Sequence, residues 1–305
     1  MAGGGALNCV ANGKILRDNS FKSLWVQPAA GDAGGAIGAA LSVWYNMLGN
    51  PRKVNLNDSM KGSYLGPSYK QKEIEEELAS CGAILETFSE EEVLEQTSKA
   101  LIEGKAVGWF QGRMEFGPRA LGGRSILGDP RSDTMQKTLN LKVKFRESFR
   151  PFAPSILSED LNEWFEADYD SPYMLFVDEV KKDKRIKVKS DVNELFGIEK
   201  LNIKRSEIPA ITHVDFSARI QTVHKETNKK YHDLITKFKE KSGCPVLVNT
   251  SFNVRGEPIV NTPQDAFRCF MGTGIELLVV GNSILHKDQQ NLNLVENYEE
   301  MYKKD

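Results

Sequence analysis

The last third of the chain alternates strand-like and helix-like patterns in an order that few folds accommodate. "ARIQTVH" (218–224) reads as a strand, "NKKYHDLITKFKEKSG" (228–243) as an amphipathic helix and "PVLVNTS" (245–251) as a buried strand. "TPQDAFRCFMGTG" (262–274) is a second helix, and "IELLVVGNSIL" (275–285) reads as one further strand. Thr262 is a suitable N-cap, Pro263 a suitable first helical residue, and Gly272 or Gly274 a suitable stop. Strands alternating with helices imply an α/β sheet whose faces are covered.

Upstream, "QKEIEEELASCG" (71–82) and "FSEEEVLEQTSKALIEGK" (88–105) read as helices, the latter with Ser89 and Glu92 at capping-box spacing and Gly104 as its stop. "AVGWF" (106–110) and "YMLFVDEV" (173–180) have strand character. A helix is expected from Ser132 through "TMQKTLNLKVKFRE", and a short one from Ser158. Residues 1 to about 60 read as strand ("SLWVQPAA"), glycine turn ("GDAGGAIG") and apolar helix, while "NPRKVNLNDSMKGSYLGPSYK" is turn-rich and aperiodic. The expected organisation is a first unit over 1–60 and a second over 65–305. "AGGGALNCVANGKI" reads as the inside of a domain, so the chain is expected to begin mid-fold. The basic stretch from Lys181 to Ile208 reads as a solvated excursion, with a mobile cover over an anion site as the alternative.

Composition removes some functions. Forty basic and forty-two acidic residues leave a formal charge of -2, which gives no general reason to expect nucleic acid or membrane partners. Cys9, Cys81, Cys244 and Cys269 lie far apart, which suits a reducing cytoplasm and small core residues better than disulfides or zinc. No uninterrupted apolar run approaches the ~18 residues of a membrane span.

The chemistry-bearing residues are basic. "GWFQGRMEFGPRALGGRSIL" (108–127) sets Arg113, Arg119 and Arg124 among glycines directly after an apolar strand. Arginine offers a planar fork of donors to carboxylate or phosphate, and glycine lets the main chain approach a ligand. "KVKFRESFRPFAPS" adds Lys142, Lys144, Arg146 and Arg150; in an extended stretch Lys144 and Arg146 would face one spot. Pairing with Glu115 and Glu147 on a surface is the plain alternative, but the cations outnumber those acids, which favours an anion site. "VLVNTSFNVRGEPI" supplies Asn249, Thr250, Ser251, Asn253 and Arg255 after a buried strand, either for phosphate oxygens or for a self-satisfied turn. "ITHVDFSARIQTVH" contributes Arg219, Gln221 and a His213/Asp215 pair with no nucleophile motif to complete a triad.

In order along the chain, "AGGGALNCVANGKI", "WVQPAAGDAGGAIGAAL", "GRMEFGPRALGGRSIL", "VKFRESFRPFAPSIL", "THVDFSARIQTV" and "NTSFNVRGEPIV" resemble the blocks of NodU-type O-carbamoyltransferases. The resemblance implies the C-terminal portion of a two-part enzyme: the end of an actin/hexokinase-type transfer domain, then a YrdC-like twisted sheet with covering helices. It implies ATP with Mg2+ and carbamoyl phosphate as reactants, carbamoyl-adenylate as intermediate and a hydroxyl acceptor. The family's Lys-x-Arg and Ser-x-Asn patterns are matched by Lys144, Arg146, Ser251 and Asn253, which implies Lys144 and Arg146 as catalytic residues and Ser251 and Asn253 as ATP or carbamoyl phosphate contacts. Arg113, Arg119, Arg124, Arg150, Arg219, Asn249 and Arg255 are then expected to hold ATP and carbamoyl phosphate.

"GGGALN" resembles the adenosine-contacting segment of the transfer domain, which points to Gly4 and Asn8, and Asp32 matches its metal-binding aspartate. The family's H-x-x-x-H pair, which with that aspartate holds a divalent metal such as Fe2+, is absent: His213, His224, His232 and His286 lie elsewhere. The expectation is a chain lacking the N-terminal half, competent at most for adenylation. A threonylcarbamoyl-adenylate-type synthase shares the Lys-x-Arg and Ser-x-Asn patterns, and a non-catalytic module binding nucleotide or double-stranded RNA would use the same basic concavity.

Overall fold

The computed structural model describes residues 1–54, 58–187, 203–295 and 298–301. Chain order runs α1 (Cys9–Arg17), α2 (Asp32–Ser42), α3 (Gln71–Ser80), β1 (Glu86–Thr87), α4 (Glu90–Ile102), β2 (Val107–Phe110) and β3 (Arg124–Gly128). It continues with α5 (Met135–Thr138), β4 (Ala153–Leu157), α6 (Leu161–Trp164), β5 (Phe176–Glu179), β6 (Ser217–Val223), α7 (Lys229–Ser242), β7 (Val246–Ser251), α8 (Pro263–Gly272), β8 (Leu277–Val280), β9 (Ser283–His286) and α9 (Tyr298–Met301). The strands form one nine-stranded mixed sheet in the order β1-β9-β8-β2-β3-β7-β4-β6-β5. The α/β class expected from the alternation is what the chain adopts.

Strands β2, β3 and β4 are buried at every residue, as a sheet covered on both faces requires. Helix α4 packs against α7, and α3 against α8. Leu101, Leu234, Phe238, Phe267 and Phe270 from these helices join Trp109, Ile126, Ile156 and Val248 of the strands in the main core. Each fully buried side chain of this size contributes roughly 1.5–3 kcal/mol.

The capping signals are realised. Ser89 Oγ accepts from the Glu92 N–H while the Glu92 carboxylate accepts from the Ser89 N–H, and Thr262 and Asp265 make the same reciprocal pair around Pro263. Gly104 takes the left-handed conformation (φ 79°) after α4.

Several expectations are corrected. "IELLVVGNSIL" is two antiparallel strands, because Gly281 at φ 58° with Asn282 makes a hairpin turn in its middle. "SLWVQPAA" forms no strand; Pro28 lacks a donor for a ladder, and the segment ends in a turn with Val26, Ala29 and Ala30 buried. The helix expected from Ser132 is only α5 followed by a π turn over Leu139–Val143, and it stops where Phe145 takes φ 48°. Lys144 is therefore helical (φ -89°, ψ -11°) rather than extended, so period-two alternation does not aim it and Arg146 at one spot. Cys244 and Cys269 are buried, but Cys9 and Cys81 are only partly so. Residues 188–202 of the basic excursion lie outside the described residues; its flanks pair through an Arg185–Ser206 bridge. Among the described residues no helix is long and apolar enough to cross a membrane.

The first fifty residues pack on the edge of the sheet. Ala6, Val26 and Ala30 share a second apolar cluster with Leu121, Ala153 and Tyr173 to Phe176. Helix α1 lies against β5: a Cβ at Gly13 would sit 2.3 Å from the Val177 carbonyl oxygen, and Asn12 Nδ2 donates to Leu175 O at 3.1 Å. Helix α2 is different, since none of its residues is buried.

Candidate functional site

Register places the site. Strand β7 runs antiparallel to β3 and β4, so its carboxyl end (Asn249 to Ser251) lies beside the amino ends of both. Strand β6 is parallel to β4, with Gln221 opposite Ser155, which brings Arg219 to the same end of the sheet. There a cavity of about 260 Å³ opens, lined by Arg119, Arg146, Arg150 and Arg219 together with Phe152, Asn249 and Ser251.

The glycine-rich loop between β2 and β3 supplies Arg119. Its shape depends on Glu115, buried at 5 % exposure, whose Oε1 accepts from the N–H groups of Leu121 (2.6 Å), Gly123 (2.7 Å) and Arg124 (3.3 Å). Gly122 at φ 103° packs on Tyr231, whose ring would be 2.3 Å from an added Cβ, so no other residue fits there. Arg119 donates to Leu7 O at 3.3 Å, and its Nε is buried without a partner.

Arg146 leaves the chain just after the left-handed Phe145. Its Nε donates to Asn140 Oδ1 at 2.7 Å and its guanidinium lies 5.0 Å from the Phe152 ring centre. Asn140 also ties down the following turn by donating to Ser148 O and Arg150 O. Arg219 is met by the Cys9 thiol, and burial followed by the nearby Arg119 charge pulls its pKa down to about 10. Burial and Arg150 do the same to Arg146, also to about 10. Both stay charged near neutrality, and each is destabilised by the other cations. Among the described residues only Arg150 of these four has a salt-bridge partner, Glu147 at 3.1 Å.

The Lys-x-Arg and Ser-x-Asn positions do meet. Lys144, 3 % exposed, points beneath the cavity floor and donates from Nζ to Ser251 O, to Ser251 Oγ (3.2 Å), and to Asn253 O and Oδ1 (both 2.8 Å). Burial first and Arg146 second bring its pKa down to about 7. Asn249 is held from behind: its Nδ2 donates to Ala120 O, Ser155 Oγ and Gln221 Oε1, and Gln221 in turn donates to Leu121 O at 2.8 Å.

Other residues named from sequence lie apart from the cavity. Arg124 is fully buried under Phe110, 3.5 Å from its ring centre, and donates to the carbonyls of Gln111, Gly112, Gly123 and Pro67. Arg113 is exposed and donates to Gly66 O. Arg255 lies 3.6 Å from Glu147. Gly4 opens a short 3-10 turn, Asn8 caps α1, and Asp32 is exposed at the start of α2. Among the described residues no group of three or more His, Cys, Asp or Glu could hold a metal, so Asp32 stands without co-ligands. His213 and Asp215 are joined through the Ser217 hydroxyl. Asn249 and Gln221 were named from sequence; Glu115 as an acceptor, Asn140 and Ser155 were not singled out as site residues. For Ser155 the available signal was a lone polar residue inside the otherwise apolar strand β4.

The family described as Carbamoyltransferase C-terminus matches residues 98–287, and Carbamoyltransferase N-terminus matches residues 1–41. The chain belongs to the carbamoyltransferase family. An uncharacterized protein of Synechocystis is 59% identical over 292 residues, covering 95% of this chain and 48% of that protein. Nodulation protein NolNO of Sinorhizobium fredii is 42% identical over 293 residues, covering 94% of this chain and 39% of its own length. A 3'-hydroxymethylcephem-O-carbamoyltransferase of Streptomyces clavuligerus is 32% identical over 283 residues, covering 93% and 47% respectively. The chain thus spans about half the length of the curated relatives it matches.

Proposed function

We propose that this chain is the carbamoyl-adenylate-forming portion of an O-carbamoyltransferase, binding ATP and carbamoyl phosphate in the arginine-lined cavity. One observation carries the reading: four arginines from three chain segments converge on a 260 Å³ space where, among the described residues, only Arg150 is ion-paired. Such an excess of cations is costly in an empty protein and is offset when a polyanion enters.

The chemistry needs no protein nucleophile. Water releases carbamate and inorganic phosphate from carbamoyl phosphate; a carbamate oxygen then attacks the α-phosphorus of ATP, and the bond to pyrophosphate breaks as the new P–O bond forms. Arg119, Arg146 and Arg219 would hold the phosphate oxygens and stabilise the charge that builds on them. Lys144 braces the Ser251–Asn253 turn from below. Among the described residues no metal site forms around Asp32.

Transfer to an acceptor hydroxyl is assigned to the whole enzyme, since these residues contain no H-x-x-x-H pair. Helix α2 and the π turn after it leave Leu41, Val43, Trp44, Met47 and Leu48 exposed, which supports a further domain packing there. On this reading residues 1–60 complete the transfer domain and 65–305 form the adenylating one.

The test is pyrophosphate release from ATP with carbamoyl phosphate, run beside threonine plus bicarbonate. Release with the first pair alone is expected. Release only with threonine and bicarbonate, or ATP binding unaffected by Lys144→Ala in a folded variant, would overturn the assignment.

A further inference from the structure

Behind the cavity floor a chain of contacts leads away from any ligand. Asn253, which receives two of the Lys144 hydrogen bonds, donates from Nδ2 to the Glu257 carbonyl at 2.6 Å. The Glu257 side chain closes the turn, its Oε2 accepting from the Val254 N–H at 2.8 Å. Its other oxygen, Oε1, accepts from the hydroxyl of Tyr298, which comes from the last described helix, α9. Both residues are nearly inaccessible, Glu257 at 8 % and Tyr298 at 2 %. Tyr298 also packs on the backbone of Gly272: an added Cβ there would lie 2.5 Å from the tyrosine.

A buried carboxylate facing a buried ammonium through one turn is not a packing necessity, because an apolar pair would fill the same volume with less desolvation. We infer that Glu257 and Tyr298 are positioning residues: the C-terminal segment latches the turn 253–257 through the Glu257 carboxylate, and the turn in turn fixes Lys144 and Ser251 at the floor of the anion cavity. The anion site is then complete only when α9 is docked. The inference rests on the cavity being an anion site, and goes beyond it by assigning work to residues that do not line it.

Around this pair, Lys144 is faced by Arg146, Cys269 and Glu257, and Glu257 by Tyr298, Cys269 and Lys144; Lys287 faces Cys269. The Glu257 charge supports the ammonium form of Lys144. Removing that charge should move the loss of Lys144's proton to lower pH, a change that loosened packing alone does not produce.

The experiment is pyrophosphate titration by calorimetry between pH 6 and 9 on the unaltered chain, Glu257→Gln, Tyr298→Phe and Lys144→Ala, with thermal unfolding of each. Tyr298→Phe keeps the ring on Gly272 and removes only the hydroxyl. Expected are about threefold to tenfold weaker binding in Tyr298→Phe and Glu257→Gln, the worth of one buried hydrogen bond. The alkaline fall in affinity should also shift to lower pH in Glu257→Gln. Pyrophosphate bound by the unaltered chain and lost in Lys144→Ala, but with affinity and pH profile unchanged in the other two, would overturn the latch while leaving the site standing. No binding by the unaltered chain would overturn both.

Discussion

The glycine-rich loop and the cavity wall use the same side chain for opposite purposes. Burial draws Arg124 in the loop and Arg146 and Arg219 in the wall alike down to about 10. Arg124 spends its guanidinium on four backbone carbonyls and an aromatic face, and Glu115 stands beside it as its charge partner. The wall arginines have fewer acceptors each: Arg146 meets one amide oxygen and the Phe152 ring, Arg219 the Cys9 thiol, Arg119 the Leu7 carbonyl and Arg150 the Glu147 carboxylate. A buried cation whose two terminal nitrogens both meet carbonyls holds a fold together, even with its Nε unpartnered, whereas on the proposed reading a desolvated cation with fewer acceptors is kept for a ligand.

Replacing Arg124 by Ala should separate the two regions most sharply. Four carbonyls lose their donor and Glu115 its countercharge, so urea unfolding is expected to show a loss of about 3–5 kcal/mol. A loss under 1 kcal/mol would show that Arg124 is no more a structural cation than the wall arginines.

Arg219→Ala should do the reverse. Pyrophosphate affinity is expected to fall ten- to a hundredfold, about 1.5–3 kcal/mol for a charged hydrogen-bonding group, while the unfolding midpoint holds or rises because like-charge repulsion is relieved. A falling midpoint with unchanged affinity would reverse its place in the comparison.

The lysine beneath the wall gives a smaller, pH-dependent effect. Its pKa is about 7 in the folded chain against ~10.4 when unfolded. Across that window the unfolded state binds more protons, so stability of the free chain should rise with pH, and Lys287, lowered to about 8, acts with the same sign. Anion affinity should fall over the same range. Urea unfolding at pH 6.5 and 9.5 measures the slope, and Lys144→Met should flatten it.

Smallest is the control that touches neither region. Thr262→Ala removes one side of the α8 capping box, for about 1 kcal/mol of stability and unchanged pyrophosphate affinity.

Much of this could be read along the chain. The helices α4, α7 and α8, their caps and the strands β2 and β7 follow from periodicity and local hydrogen-bond chemistry, which need only neighbours in sequence. The Lys144–Ser251–Asn253 meeting was anticipated through family resemblance, not through the alternation argument, which failed when Phe145 turned left-handed. Arg124 and Arg119 could not be told apart, because both sit in one glycine-rich stretch and differ only in which carbonyls surround them. A surface ion pair was the plain alternative for Glu115; it is buried beside Arg124 and accepts from three N–H groups of its own loop.

What the sequence determined by itself is the α/β class, the capped helices and the surplus of guanidiniums beside flexible backbone, all set by interactions within a few residues. The tertiary structure decided which of those guanidiniums line the cavity and which are buried against carbonyls. That choice depends on which acceptors the tertiary fold brings within hydrogen-bonding distance, and acceptors such as Pro67 O (3.3 Å), Gln111 O (3.0 Å) and Leu7 O (3.3 Å) come from segments far apart in the chain.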